Sequence, residues 1–181
     1  MHPTHTDNST DFLKEIYIHN QEILTIADSN FSSNIIKELI VSHSLIILCG
    51  HGSSNGLFDN NKNLVISKDF KDVLKNKNVI YLWCNANVFV DSLGLKGLFC
   101  GMYISEISEI FNLISEEDYS HYYDYEIEES NQKFAYILGK LLMKYSSDLE
   151  KVYKELIVSY GEVGKQNSVA KYNWERLYYK N

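Results

Sequence analysis

Two side chains carry the chemistry to be explained. His51 sits in a glycine-rich stretch, Gly50-His51-Gly52-Ser53-Ser54-Asn55-Gly56, and Cys84 opens the polar run Cys84-Asn85-Ala86-Asn87. Each follows an apolar run: LIILC at residues 45–49 and VIYLW at residues 79–83. Runs of that length, rich in β-branched and aromatic residues, predict strands buried on both faces, as in a parallel sheet covered by helices. If the two strands are parallel neighbours, His51 and Cys84 leave the same sheet edge at corresponding positions. A thiol beside an imidazole is a candidate nucleophile and base. Open α/β sheets keep their sites in the loops at the carboxyl ends of such strands. Residues 67–77, capped by Ser67 and with Phe70, Val73 and Leu74 facing inward, predict the crossover helix that a parallel pair needs.

A hydrophobic strand ending in His51-Gly52, followed by a second ending in Cys84, resembles the caspase-haemoglobinase fold of cysteine peptidases. That group includes caspases, gingipains, legumains, separases and bacterial caspase-like proteins. The resemblance covers roughly residues 35–110. It implies an α/β fold with a mostly parallel sheet flanked by helices on both faces, a caspase-like three-layer sandwich. It also implies a His51–Cys84 dyad that cleaves peptide bonds through an acyl-thioester. The oxyanion would be held by the backbone N–H groups of Gly52 and Cys84, and no cofactor would be needed. Members of the group read the residue before the scissile bond through a charged or polar pocket. Here Ser53, Asn85, Asp91 and Glu106 are the candidates for it. The carboxylates would favour a basic substrate residue, unless they simply solvate the surface as charge runs do. The arginines that caspases present to a substrate aspartate have no visible counterpart, and the chain is short for the group. A partner domain or regulatory protein is therefore an open expectation.

Other readings of the same residues stand beside this one. Cys84 can be a buried structural thiol and His51 a locally bonded loop histidine. The glycine loop, read as GxGxxxG, could hold a nucleotide or phosphate, yet it lacks the acidic residue at the next strand end. The alternative to a peptidase is thus a catalytically silent α/β module that binds a protein partner or a small ligand at the His51 loop. Cys49 and Cys100 lie within apolar runs and are expected in the core. No CxxC or HxxxH pattern points to zinc.

The global numbers narrow the class. A chain of 181 residues suits one domain with a sizeable core. A net charge of −7 argues against a nucleic-acid backbone as partner. Apolar runs of about five residues fall far short of the ~20 that a membrane helix needs. Three cysteines, an odd number with two at strand ends, fit reduced thiols and a cytoplasmic setting.

The remaining elements must position the two side chains. Residues 1–12 are expected to be a disordered leader, with residues 13–181 forming the domain. His2 and His5 could bind a metal adventitiously, but they read as ordinary polar residues of the leader. Residues 16–18 and 22–27 predict an edge hairpin turning around His19-Asn20. Residues 32–41 predict a helix with Ser32 or Ser33 as cap and Ile35, Ile36, Leu39 and Ile40 on one face. Residues 64–66 are too short to classify. Residues 98–104 predict a third strand, with Glu106 and Glu109 at or after its end. Residues 115–129 hold seven acidic residues and four tyrosines without periodicity, and read as a solvated loop or loosely packed helix. Two amphipathic helices follow. One carries the stripe Phe134, Ile137, Leu138, Leu141, Leu142 and Tyr145; the other carries Leu149, Val152, Tyr153, Leu156, Ile157 and Tyr160. Ser147 with Glu150 reads as a capping box and Gly161 as a stop. The segment 169–179, with Trp174 and three tyrosines, is expected to cover an edge.

Overall fold

The structure, a computed structural model, describes residues 1–18, 26, 31–111, 124–145 and 148–181. A 3-10 turn (Asp11–Ile16) is followed by α1 (Ser33–Ser42), β1 (Leu45–Cys49) and three short strands, β2 (Gly52–Ser53), β3 (Gly56–Phe58) and β4 (Leu64–Ile66). A second 3-10 turn (Lys68–Phe70) runs into α2 (Lys71–Leu74), then β5 (Asn78–Leu82), α3 (Ala86–Leu93), β6 (Gly97–Cys100) and α4 (Ile107–Phe111). The chain continues through α5 (Asp124–Tyr145), α6 (Leu149–Gly164), α7 (Ser168–Trp174) and β7 (Leu177–Lys180).

The fold is α/β. Its main sheet has the order β1-β5-β6-β7, with β1, β5 and β6 parallel and β7 antiparallel at the edge. A small antiparallel sheet, β2-β3-β4, rises from the glycine stretch. Strand alternation sorts the core into two layers. Ile47, Cys49, Ile80, Leu82 and Leu98 meet α5, α6 and α7 on one face. Ile46, Leu48, Val79, Tyr81 and Phe99 meet α1, α2 and α3 on the other.

Several local expectations are met. Ser32 caps α1 by accepting from Ile35 N, and Ile36 and Ile40 are buried while Ile35 is exposed. The crossover between β1 and β5 is shorter than 67–77, a 3-10 turn joined to one α-turn, yet Phe70 and Leu74 face inward. β7 covers the edge beyond β6, as expected, and residues 64–66, too short to classify from the sequence, form β4.

Other expectations are corrected. The first arm of the predicted hairpin is not a strand. Leu13, Ile16 and Tyr17 recur at helical spacing and are buried, and the turn they belong to lies on α5 at Gly139. A Cβ at Gly139 would stand 3.0 Å from Glu15 O. The second arm lies outside the described residues except for residue 26. The third strand is shorter than 98–104 and ends at Cys100. One further rung follows at Gly101, which donates to Arg176 O and accepts from Asn85 N, and residues 102–104 leave the sheet. Residues 112–123 lie outside the described residues, and from Asp124 the acidic stretch is the start of α5. Asp148, not Ser147, caps α6, accepting from Lys151 N. Gly161 does not end α6: it provides a flat seat for the Trp174 indole, which stands 3.2 Å from the position of a Cβ there and donates to Ile157 O at 2.9 Å. Residues 1–10 are packed rather than disordered. His2, Thr4, Ser9 and Thr10 are buried, and Met1 pairs along the outer edge of β1, donating to Ile47 O and accepting from Cys49 N.

One buried side chain steers the stretch after β6 toward the site. Asn173 of α7 is fully buried and holds Ile104 by both backbone groups, accepting from its N at 2.7 Å and donating to its O at 2.9 Å. Asn173 also donates to Ser130 Oγ, which bonds the Tyr160 hydroxyl at 2.7 Å. Replacing it leaves two backbone groups unpaired in the core, at about 1–3 kcal/mol each. Urea denaturation of Asn173→Leu is therefore expected to show a loss of about 2–6 kcal/mol; a change below 1 kcal/mol would mean the clamp is not needed.

Candidate functional site

The site begins with a register. Cys49 of β1 stands opposite Leu82 of β5, and Gly50 N extends the ladder to Leu82 O at 3.0 Å. His51 and Cys84, each two residues past that pair, leave the sheet at the same level. Gly50 has φ +131°, and a Cβ there would meet Thr4 Oγ1 at 2.4 Å, so both backbone and neighbours require glycine. Past Cys84 the chain turns sharply. Asn85 is left-handed at φ +63°, bonds its N to Gly101 O, and releases the chain into α3. Asparagine tolerates that region better than most residues. Cys84 thus sits on a strand-to-helix turn beside the N-terminus of α3, whose dipole favours an anion there.

His51 and Cys84 line one small cavity of about 30 Å³, together with Trp83, Tyr103, Phe134 and Ser9. That volume holds about one water and no substrate. Its lid is the N-terminal segment. His51 Nε2 lies 3.0 Å from Ser9 Oγ and 3.3 Å from Asp7 Oδ2, and His51 N donates to Thr4 Oγ1 at 3.1 Å. Ser9 also donates to Asp7 Oδ1 through its hydroxyl and its N–H, at 2.7 and 2.9 Å. These bonds, with the His51 imidazole, hold the Asp7 carboxyl below its usual range. Asp7 and Ser9 address the same ring nitrogen, so they do not form a serine-histidine-aspartate relay, which uses both.

Cys84 is engaged on its other side. Its thiol points to Tyr103 O and to Glu109 Oε1, both at 3.5 Å. Burial pushes the thiol well above its ordinary range, and the Glu109 carboxylate pushes the same way. Glu109 is held by Ser105 N, Ser105 Oγ and Glu106 N on its second oxygen, at 2.5, 3.0 and 3.1 Å. Among the described residues no hydrogen bond joins the His51 ring to Cys84. The structure brings the two expected residues to one cavity and ties each to something else.

The remaining candidates divide. Gly52 lies in β2, and the Trp83 ring fills the place of its Cβ, 2.3 Å away, so packing on Trp83 already accounts for a glycine there. Ser53 ends β2 rather than lying in the turn: its Oγ accepts from Asn55 N of the turn, and its O accepts from the Trp83 indole at 2.9 Å. Asp91 lies outside the cavity and pairs with Lys180 at 2.9 Å. Glu106 is exposed, accepts from Ser108 Oγ, and borders an open groove with Asp11, Asp124 and Glu128. Cys49 and Cys100 are buried as expected. Their thiols reach Met1 O and Trp83 O, and burial raises them to about 11 and about 12. Among the described residues no group of three His, Cys, Asp or Glu side chains could hold a metal, and no helix is long and apolar enough to cross a membrane.

Sequence reasoning missed Thr4, Asp7 and Ser9, which fall in a polar segment with no periodicity. It placed Glu109 near a strand end without a partner. Comparison with protein-family models, with curated proteins and with solved structures yields no match for this chain.

The Glu109 contact makes a direct prediction. Glu109→Gln keeps the acceptor for Ser105 and removes the charge facing the thiol. Below the thiol's pKa, alkylation follows the thiolate fraction and rises about tenfold for each pH unit by which that pKa falls. Iodoacetamide labelling of Cys84 at pH 8, read by peptide mass spectrometry, is expected to be slower than for free cysteine in the wild type and faster in Glu109→Gln. Equal rates in the two proteins would remove Glu109 from the account.

Proposed function

We propose that the chain is a cysteine peptidase of caspase-like type, described here in a closed state, with Cys84 as nucleophile and His51 as its proton-transfer partner. The observation that carries this reading is the β1–β5 register, which delivers an imidazole and a thiol from adjacent parallel strand ends into one cavity. A four-stranded, mostly parallel sheet with helices packed on both faces is compatible with the caspase-like sandwich that the His51-Gly52 and Cys84 motifs resemble.

In the proposed reaction the Cys84 thiolate adds to a peptide carbonyl, forming a C–S bond. The backbone N–H groups of Gly52 and Cys84 are assigned to the resulting oxyanion. Collapse breaks the C–N bond, and His51 gives a proton to the departing amine. Water then cleaves the thioester, releasing the acid and restoring the thiol. Two changes must precede chemistry: residues 7–9 must leave the His51 ring, and the Cys84 thiol must turn from Tyr103 O and Glu109. The α3 N-terminus then favours the thiolate. The substrate is a peptide or protein segment.

A second reading has its own observation. A thiol held by a carbonyl and a carboxylate, and raised by burial, is what a catalytically silent module would also contain. Such a module would bind a partner or small ligand at the His51 loop.

The two readings separate in a peptide-library digest with the full chain between pH 4.5 and 8. The peptidase reading expects cleavage that disappears in Cys84→Ala and falls about 10²–10⁴-fold in His51→Ala. A wild-type chain that cleaves nothing across that range, or a Cys84→Ala chain that still cleaves, overturns it.

A further inference from the structure

We propose that residues 1–10 form an acid-released gate over the His51–Cys84 cavity, with His2 as the group whose protonation opens it. What the gate does for catalysis rests on the peptidase reading; the gate itself does not.

The segment is a tight coil with two anchors. At one end Thr4, Asp7 and Ser9 hold His51 through its N and Nε2. At the other end the His2 ring is fully buried. The anchors are mechanically joined. His5 N bonds His2 O, Asp7 N bonds Thr4 O, and Thr10 N bonds Asp7 O, while Thr10 Oγ1 donates to Thr4 O at 2.7 Å. Only Pro3 separates His2 from Thr4, and the His5 N–His2 O bond spans the pair, so release of His2 pulls on the residue that holds His51 N.

His2 is built to stay neutral. Its Nδ1 shares a 2.9 Å hydrogen bond with the Tyr17 hydroxyl, and its buried Nε2 has no partner among the described residues. Protonation would place a charge and an unmatched N–H in that space, which is costly. The charged and titratable groups facing the ring give little relief, the Asp11 carboxylate alone favouring the protonated form. They are the Met1 amine, the His5 imidazole and the Lys14 ammonium, with the Asp11 carboxylate already bonded to Lys14. The Tyr17 phenol and the Cys49 thiol lie alongside, and burial keeps both protonated across the acid and neutral range.

The sign of the pH effect follows. Burial first, and the neighbouring positive charges second, push docked His2 from 6.5 down to about 3. A histidine depressed in the docked state leaves its own contribution to docking at full strength above pH 6.5 and loses it as pH falls below that value. The Met1 amine, lowered from 8.0 by burial, weakens docking in the same direction from a higher pH. The open fraction rises about tenfold by pH 5.5 and about 100-fold by pH 4.5. Asp7 is also depressed in the docked state, from an ordinary value of 3.8, so its contribution is lost only at lower pH.

The test is hydrogen exchange of the full chain between pH 4.5 and 8, corrected for the intrinsic rate at each pH. Amides of residues 4–10 are expected to lose protection by about 100-fold from neutral pH to pH 4.5, while those of β5 keep theirs. His2→Asn, which retains an acceptor toward Tyr17 and cannot be protonated, is expected to remove the step between pH 6.5 and 4.5 and to leave the shallower dependence of the Met1 amine. Should His2→Asn fail to dock, Tyr17→Phe decides: it keeps the titrating ring and must keep the slope, shifted toward the open state. A flat wild-type profile, a docked His2→Asn chain whose profile below pH 6.5 is as steep as the wild type's, or a flat Tyr17→Phe profile overturns the gate. Reaction of Cys84 with a disulfide reagent active at acid pH is followed in parallel. Opening without faster Cys84 reaction upholds the gate and counts against the peptidase reading alone.

Discussion

Everything at the site hangs on the register between two parallel strands. Because Cys49 faces Leu82 across the ladder, the chain positions two residues further on, His51 and Cys84, emerge side by side. A slip by one residue would turn every side chain of β1 to the opposite layer. It would carry Leu48 out of the core it shares with Trp83 and Phe89, and Cys49 out of the core it shares with Leu138 and Leu156. Two full cores, one per face, thus lock the relation between imidazole and thiol. Packing far from the chemistry sets its geometry.

The third strand supplies the opposite tendency. Past β6 the chain is clamped by Asn173 at Ile104, which sets Tyr103 O and the Glu109 carboxylate against the Cys84 thiol. The α3 N-terminus favours a thiolate, whereas burial and Glu109 oppose it. In the structure the opposing effects win, and Ser9 and Thr10 of the first ten residues line the same space. The pair is positioned by the sheet and held apart by what packs on it.

The strands, the crossover and the two long carboxyl-terminal helices were legible because each follows from a repeating pattern of apolar residues. LIILC and VIYLW alternate between two buried layers, and Phe134, Leu138 and Leu142 recur at helical spacing. What was not legible depends on contacts between distant residues. No local signal tells a polar segment such as THTDNST that it will find a histidine to bond, and Glu109 becomes part of the site only through the turn after Cys100. Glycines misled for the same reason. Gly161 reads as a helix stop in isolation, and only the Trp174 ring seated on it explains why α6 continues.

The pairing of Met1 with β1 has a consequence beyond the site. β1 is an outer strand of the main sheet, and Met1 occupies its free side at Ile47 and Cys49. If the first residues leave, those backbone groups lose their partners among the described residues, and Leu45–Cys49 presents an apolar strand edge of the kind that takes up another strand. A chain in its open form would therefore be primed to take up an extended segment along β1, from another molecule or from a second copy of itself, beside the cavity where His51 and Cys84 meet.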